Sequence, residues 1–489
     1  MTNSISAPIR RWRDLPMPVL VLALSQAAGA GVTPPGADVL TANEITRIDA
    51  AANRLLAAGA PGLSLAIIKH DAVVYTKGYG VMNLKSSRPV TATTRMEIGS
   101  LTMQFTAAAI LQLSESGKLS LDDALGKYVP EYVVGRDITL RQLLQFTSGV
   151  PDYFPTDDAV AAKLFAQKAS VNNVLDLFSG KPLDFAPGSS AAFGNTSYFL
   201  LSLVVERVSG LDYDTYLRRH IFAPAGMTQS TTLAEETKIR DMASGYLQVG
   251  SDSNPAPKIE DSWGRGTFDI VSNVLDIAKW DAALLNGKIV NRDDVALMMT
   301  PATLTDGKTV PYGMAWIDSR GIEGHRMIHL YGGTVGFIAI NVVFPDDHLI
   351  LVAASNVNYQ ILPGNSITDA VFDALHPEVV AKRLAPAANE NTAITTQARE
   401  LIQMLQTGSL ADSALTEQLH EKLTPTILNK IKIALAGAGE PSTLIFKGQQ
   451  ASEKGTAYEY LVRFKNQDWA LKMTLDPTGK LASIGLGPA

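Results

Sequence analysis

Ser100 is the residue of this chain best placed to do covalent chemistry. It stands in Ile98-Gly99-Ser100-Leu101-Thr102, just ahead of Phe105, Ala108, Ala109, Leu111 and Leu113. That spacing predicts a largely buried helix over about 102–116, stopped by Gly117. A serine at a helix mouth can become a nucleophile, because free backbone N–H groups and the helix dipole favour negative charge developing beside it. Taken alone, the same serine also fits the commoner role of an N-cap. Other reactive types are scarce. The absence of cysteine excludes a thiolate nucleophile, disulfides and cysteine metal sites together. The seven histidines are scattered without paired ligand spacing, so neither a metal nor a cofactor is expected.

Three separated stretches extend this reading. The first runs from Ile98 to Ala108 and continues through Gly117-Lys118-Leu119-Ser120-Leu121-Asp122-Asp123 and Thr147-Ser148-Gly149-Val150-Pro151-Asp152. The second is Pro182 to Gly188 followed by Phe193-Gly194-Asn195-Thr196-Ser197-Tyr198, and the third is Gly332-Gly333-Thr334-Val335-Gly336-Phe337. In this order they closely resemble the S-x-x-K, Y-x-N and K-T-G or H-x-G regions of serine β-lactamases, D-alanyl-D-alanine carboxypeptidases, penicillin-binding-protein-like hydrolases and related esterases. Tyr312 to Trp316 and Trp280 to Gly287 add signposts, and the likeness covers roughly 45–375. The resemblance implies an antiparallel sheet flanked by helices and acyl transfer through Ser100 from a small ester, amide or peptide. It also implies a role for Asn195 and an oxyanion hole built from the backbone N–H groups of Ser100 and Gly333.

The match fails where the chemistry sits. The lysine position, one helical turn after the serine, is Met103, and a thioether cannot take the serine proton. The tyrosine position is Phe193, the imidazole or cation position is Leu330, and a histidine position before Thr147 is Phe146. Removing one member of a buried polar cluster strands its partners at about 1–3 kcal/mol each, whereas joint apolar replacement can be nearly neutral. The substitutions therefore read as one apolar rewrite. Two functions stay open. One is a weak serine hydrolase whose base is recruited from His329, Tyr331 or a water held by Asn195. The other is a catalytically silent relative that binds an apolar or acylated ligand, or a protein partner, in the former cleft. Strand alternation should turn His329 away from the nucleophile unless a bulge intervenes. Efficient β-lactam hydrolysis is not expected.

The elements that must position these residues follow from the hydropathy pattern. Residues 62–68 and 72–76 predict a β-hairpin around Lys69-His70-Asp71, and 338–344 with 349–353 predict a strand pair around Pro345-Asp346-Asp347. These first and last strands should share one sheet, with a mostly helical subdomain over about 110–300 between them. Residues 377–398, rich in Pro, Ala, Asn and Thr, read as a linker. Beyond it, a helix over 415–436 and strands at 443–446, 458–464 and 469–475 predict a small α+β domain of cystatin-like or NTF2-like kind over 399–489. The fold class is thus α+β throughout. Ahead of the folded part, Arg10, Arg11 and Arg13, the apolar stretch 15–24 and Ala28-Gly29-Ala30 read as a signal peptide cleaved near Ala30, which predicts a periplasmic or secreted protein. No apolar stretch reaches the roughly 20 residues of a membrane span. A net charge of -6 without a basic run argues against nucleic acid as a partner.

Overall fold

The computed structural model describes residues 39–57, 59–155, 158–249, 252–357, 364–464 and 468–488; the signal-peptide reading lies outside them. The chain divides into two compact units, 1–375 and 376–489.

In the first unit, helix α1 (Ala42–Ala57) precedes a hairpin of β1 (Gly62–Lys69) and β2 (Ala72–Asn83). His70 and Asp71 both adopt left-handed φ, 45° and 66°, the pairing that matches a two-residue turn to the strands' twist. Helix α2 (Thr102–Glu115) follows, buried continuously from Thr102 to Leu111, and Gly117 at φ 68° ends it. Helices α3 (Asn195–Ser209) and α4 (Val274–Leu285) belong to the middle segment. That segment is less uniformly helical than its pattern suggests: Met96–Glu97, Thr231–Thr232 and Ile270–Ser272 pair into a small sheet, and Tyr246–Val249 pairs with Asp252–Pro255. Strands this short carry too little periodicity to register in the sequence.

The chain then returns through β3 (Ile317–Arg320), β4 (Arg326–Thr334), β5 (Phe337–Phe344) and β6 (Leu349–Ser355), and closes with α5 (Gly364–Leu375). One antiparallel seven-stranded sheet results. From the short strand Arg88–Pro89 it runs β2, β1, β6, β5, β4 and β3, so the first and last long strands are hydrogen-bonded neighbours as expected. Every residue of β5 and β6 is buried because helices cover both faces, which is why these strands run apolar instead of alternating. Ala66, Leu330, Ala339, Val352 and Ala354 face a core shared with α2, α3 and α4. On the opposite face α1 packs against α5.

The second unit opens with α6 (Pro377–Leu384) and α7 (Thr392–Thr407), so the segment read as a linker is largely helical. Pro377 sits in the first turn, where its missing N–H costs nothing, and Asn391 caps α7 by accepting from Ala393 N and Ile394 N. Composition looked linker-like because these are cap and first-turn residues. The helix expected over 415–436 is split by Pro425 into Glu417–Lys422 and α8 (Pro425–Ala438). A four-stranded antiparallel sheet completes the unit: β7 (Pro441–Ser452), β8 (Gly455–Phe464), β9 (Asp468–Leu475) and β10 (Leu481–Pro488). Its buried Phe446, Tyr460, Val462, Trp469 and Leu471 pack on Leu401 and Leu405 of α7.

Candidate active site

Ser100 lies in a single 3-10 turn, Gly99–Leu101, between strand Met96–Glu97 and α2. Two glycines make the site. Gly99 adopts φ 54°, and a Cβ there would stand 2.7 Å from Gly333 N. At Gly332 a Cβ would lie 2.1 Å from Ile98 O and 2.8 Å from Ser100 N, so β4 can approach the turn only where it lacks side chains. This contact of backbone on backbone brings Ser100 and Gly333 together. The hydroxyl of Ser100 does not cap α2: the helix begins at Thr102, and its N-cap Leu101 makes no side-chain cap bond. Thr102 Oγ1 instead accepts from Ile270 N at 3.1 Å, tying the helix start to the strand Ile270–Ser272. Among the described residues, no side chain hydrogen-bonds the Ser100 hydroxyl.

Around the serine the positions that depart from the family pattern are occupied as follows. Met103 is fully buried and Leu330 nearly so, in one core cluster with Ile98 and Leu101. Phe146 is buried at φ 59°, a left-handed conformation that is strained for a bulky residue. Its ring contacts Tyr198 at 5.1 Å, Tyr312 at 5.5 Å and Phe193 at 4.8 Å. Phe193 differs from the other three. It is 39% exposed, so the tyrosine position has become part of an open aromatic surface rather than of the core.

Asn195 begins α3, whose N-cap, Gly194, has no side chain to offer. Asp152, from a loop 43 residues earlier, fills that role: its Oδ1 accepts from Asn195 N and its Oδ2 from Asn195 Nδ2, both at 3.1 Å. A carboxylate at a helix N-terminus also complements the dipole. Asp152 belongs to the Thr147–Asp152 stretch of the family likeness, and no spacing signal links it to Asn195.

His329 and Tyr331, the candidate recruited bases, do not face the serine. The β4–β5 ladder pairs Leu330 with Asn341 and His329 with Val342 without a bulge. Leu330 therefore faces the core beneath Ser100, while His329 and Tyr331 point to the α5 side. Their rings lie 4.6 Å apart, and the Tyr331 hydroxyl is 3.5 Å from that of Thr368 on α5. Burial pushes the His329 imidazole down to about 4. Tyr198, on the Ser100 side, is no proton acceptor either: burial holds its phenol well above the ordinary value and its hydroxyl donates to Leu144 O at 2.7 Å.

A half-buried serine just ahead of a buried helix, cradled against the glycines of an antiparallel strand, defines the serine-hydrolase class built on the β-lactamase fold. The family model for beta-lactamases matches residues 48–376, and this chain belongs to that family. A penicillin-binding protein of Bacillus subtilis (strain 168) is 28% identical over 302 residues, covering 58% of this chain and 65% of that protein. The chain thus spans just under two thirds of that relative's length. An octameric penicillin-binding protein homologue from Pyrococcus abyssi superposes with a TM-score of 0.61 at 21% identity, covering 91% of this chain and 96% of its own. A D-amino acid amidase from Ochrobactrum anthropi SV3, solved with D-phenylalanine, gives 0.60 at 22% identity over 69% of this chain and all of its own. At these identities the two structures support the fold alone.

Proposed function

We propose that the protein is an exported serine hydrolase of weak turnover, which accepts acyl groups on Ser100 from a small ester, amide or peptide. The observation that carries this reading is the approach of Gly332 and Gly333 to Gly99 and Ser100, which sets strand backbone against the turn that bears the hydroxyl and supports an oxyanion hole of two backbone N–H groups there. Backbone donors survive side-chain replacement, and in a serine protease the oxyanion hole and binding alone retain roughly 10³–10⁴-fold acceleration after the triad is removed. What limits turnover is the missing base, because Met103 and Leu330 are apolar and buried and neither His329 nor Tyr331 faces the serine. Acylation then depends on a substrate with a good leaving group. An amide-cleaving relative of the same fold is consistent with an acyl substrate, and Arg10, Arg11, Arg13 and the small-residue site at Ala28 to Ala30 support export.

The test is labelling of the full chain with a fluorophosphonate probe, followed as intact mass. Slow single labelling that Ser100→Ala abolishes is expected; labelling equal in both proteins would remove Ser100 from the chemistry. One observation favours a second reading, a silent cleft that binds an apolar or acylated ligand: the exposed Phe193 ring against Phe146, which in turn contacts Tyr312. In that case an apolar acyl ligand binds without any mass being added to Ser100.

A further inference from the structure

Behind the serine lies a polar cluster that acyl transfer does not use. Gln104 of α2, Asp281 of α4 and Asn341 of β5 are 0%, 1% and 0% exposed. Gln104 follows Met103 in sequence, and Asn341 stands opposite Leu330 in the ladder. Asn341 Nδ2 donates to Asp281 Oδ1 at 2.7 Å and to Gln104 Oε1 at 3.4 Å, and Trp280 Nε1 donates to the same Gln104 oxygen at 3.3 Å. Each head group is only half used. Among the described residues, Gln104 Nε2, Asn341 Oδ1 and Asp281 Oδ2 are buried without a partner.

Turning the amides over does not rescue them. A reversed Gln104 would set its amino group against two donors, Trp280 Nε1 and Asn341 Nδ2. A reversed Asn341 would set its carbonyl against the Gln104 oxygen. Buried polar groups in folded proteins are rarely left unpaired, and three adjacent ones on mutually bonded side chains are the usual lining of an internal water. The donor set also argues against a cation, because Gln104 Nε2 is a donor.

We propose that Gln104, Asp281 and Asn341 bind a single internal water molecule that ties the helix following Ser100 to the central sheet. The water accepts from Gln104 Nε2–H and donates to Asn341 Oδ1. Its third bond is to Asp281, and burial pushes that carboxyl up to about 8, so at neutral pH it is the acid that donates its proton to the water oxygen. Among the described residues no charged group opposes this. The residues facing α4 from β1 and β6 are Ala66, Ile68, Ile350, Val352 and Ala354, and on α4 itself Lys279 is paired with Asp276 at 2.7 Å. Above about 8 the acid ionises, the water reverses its donation, and an uncompensated charge remains in the core.

The site goes beyond the hydrolase reading and stands whether or not Ser100 turns over. Two measurements on the full chain test it. A crystal structure at a resolution that shows solvent should contain one peak within about 3 Å of all three orphan atoms; ordered density there with no peak overturns the proposal. Asp281→Asn keeps the shape and a donor, so it should fold. Because the acid is raised in the folded state alone, it stabilises fully below pH 4, and this contribution is lost as pH rises towards 8. The wild-type folding constant should therefore fall by up to tenfold per pH unit between pH 5 and 7 relative to Asp281→Asn. Parallel urea-denaturation profiles over that range overturn it. If Asp281→Asn fails to fold, the wild-type map alone decides.

Discussion

Met103→Lys restores the residue that the family pattern places one turn after the serine, and the structure sets what that restoration costs. The Met103 side chain is fully buried in one apolar core cluster with Ile98, Leu101 and Leu330, so an ammonium placed there loses its hydration. A lysine held neutral in that core at pH 7 must give up its proton more than three units below its ordinary pKa of about 10.4, which costs about 5 kcal/mol. The folded-state pKa is depressed, so the unfolded chain binds the extra proton and stability rises with pH. At pH 9 the same substitution should cost about 2 kcal/mol. Urea denaturation of wild type and variant at pH 7 and pH 9 reads both numbers. A variant as stable as wild type at pH 7, with no gain on raising the pH, would show that position 103 reaches water or a hidden acceptor. The apolar rewrite of the site would then be wrong.

Three further outcomes follow from the geometry. Gly332→Ala places a methyl group 2.1 Å from Ile98 O, a backbone atom that cannot swing aside, so it should cost about 1–3 kcal/mol in chemical denaturation and abolish any labelling of Ser100. His329 is pushed down to about 4 by burial, so the folded state resists its protonation and stability falls as pH drops from about 6.5 to 4. His329→Gln should remove up to about 3 kcal/mol of that acid sensitivity, read from melting curves at pH 4 and 7, and leave Ser100 labelling unchanged. Asp152→Ala strips α3 of the side-chain cap that Gly194 cannot supply and frees the Asn195 amide, so a loss of about 1 kcal/mol is expected; an unchanged urea midpoint would mean that the cap is made elsewhere.

Much of the frame is legible in the sequence because it is written in local patterns. The two hairpins announce themselves through apolar runs around short polar turns, and α2 through its uninterrupted burial and Gly117. The site is legible in part. Ser100 and Gly332-Gly333 can be placed by motif, and the facing of His329 follows from strand alternation alone. The exposure of Phe193 cannot be read this way, because it depends on how its ring packs against Phe146, 47 positions earlier in the chain. The clamp of Asp152 on Asn195 and the cluster of Gln104, Asp281 and Asn341 join residues 43 to 237 positions apart, and no periodicity encodes such pairs. Residues 377–398 misled for a physical reason: caps and first turns share their composition with linkers.

The most direct test of the account is the rate at which Ser100 is acylated by an activated p-nitrophenyl ester, followed by intact mass, in wild type and in the triple variant Met103→Lys, Phe193→Tyr, Leu330→His. If loss of the base is what slows the site, wild type acylates slowly, Ser100→Ala not at all, and the triple variant faster than wild type and than any single reversion, because neighbours in one network couple. Rapid wild-type acylation that disappears in Ser100→Ala would contradict the account, since it requires a base that the geometry around Ser100 does not supply.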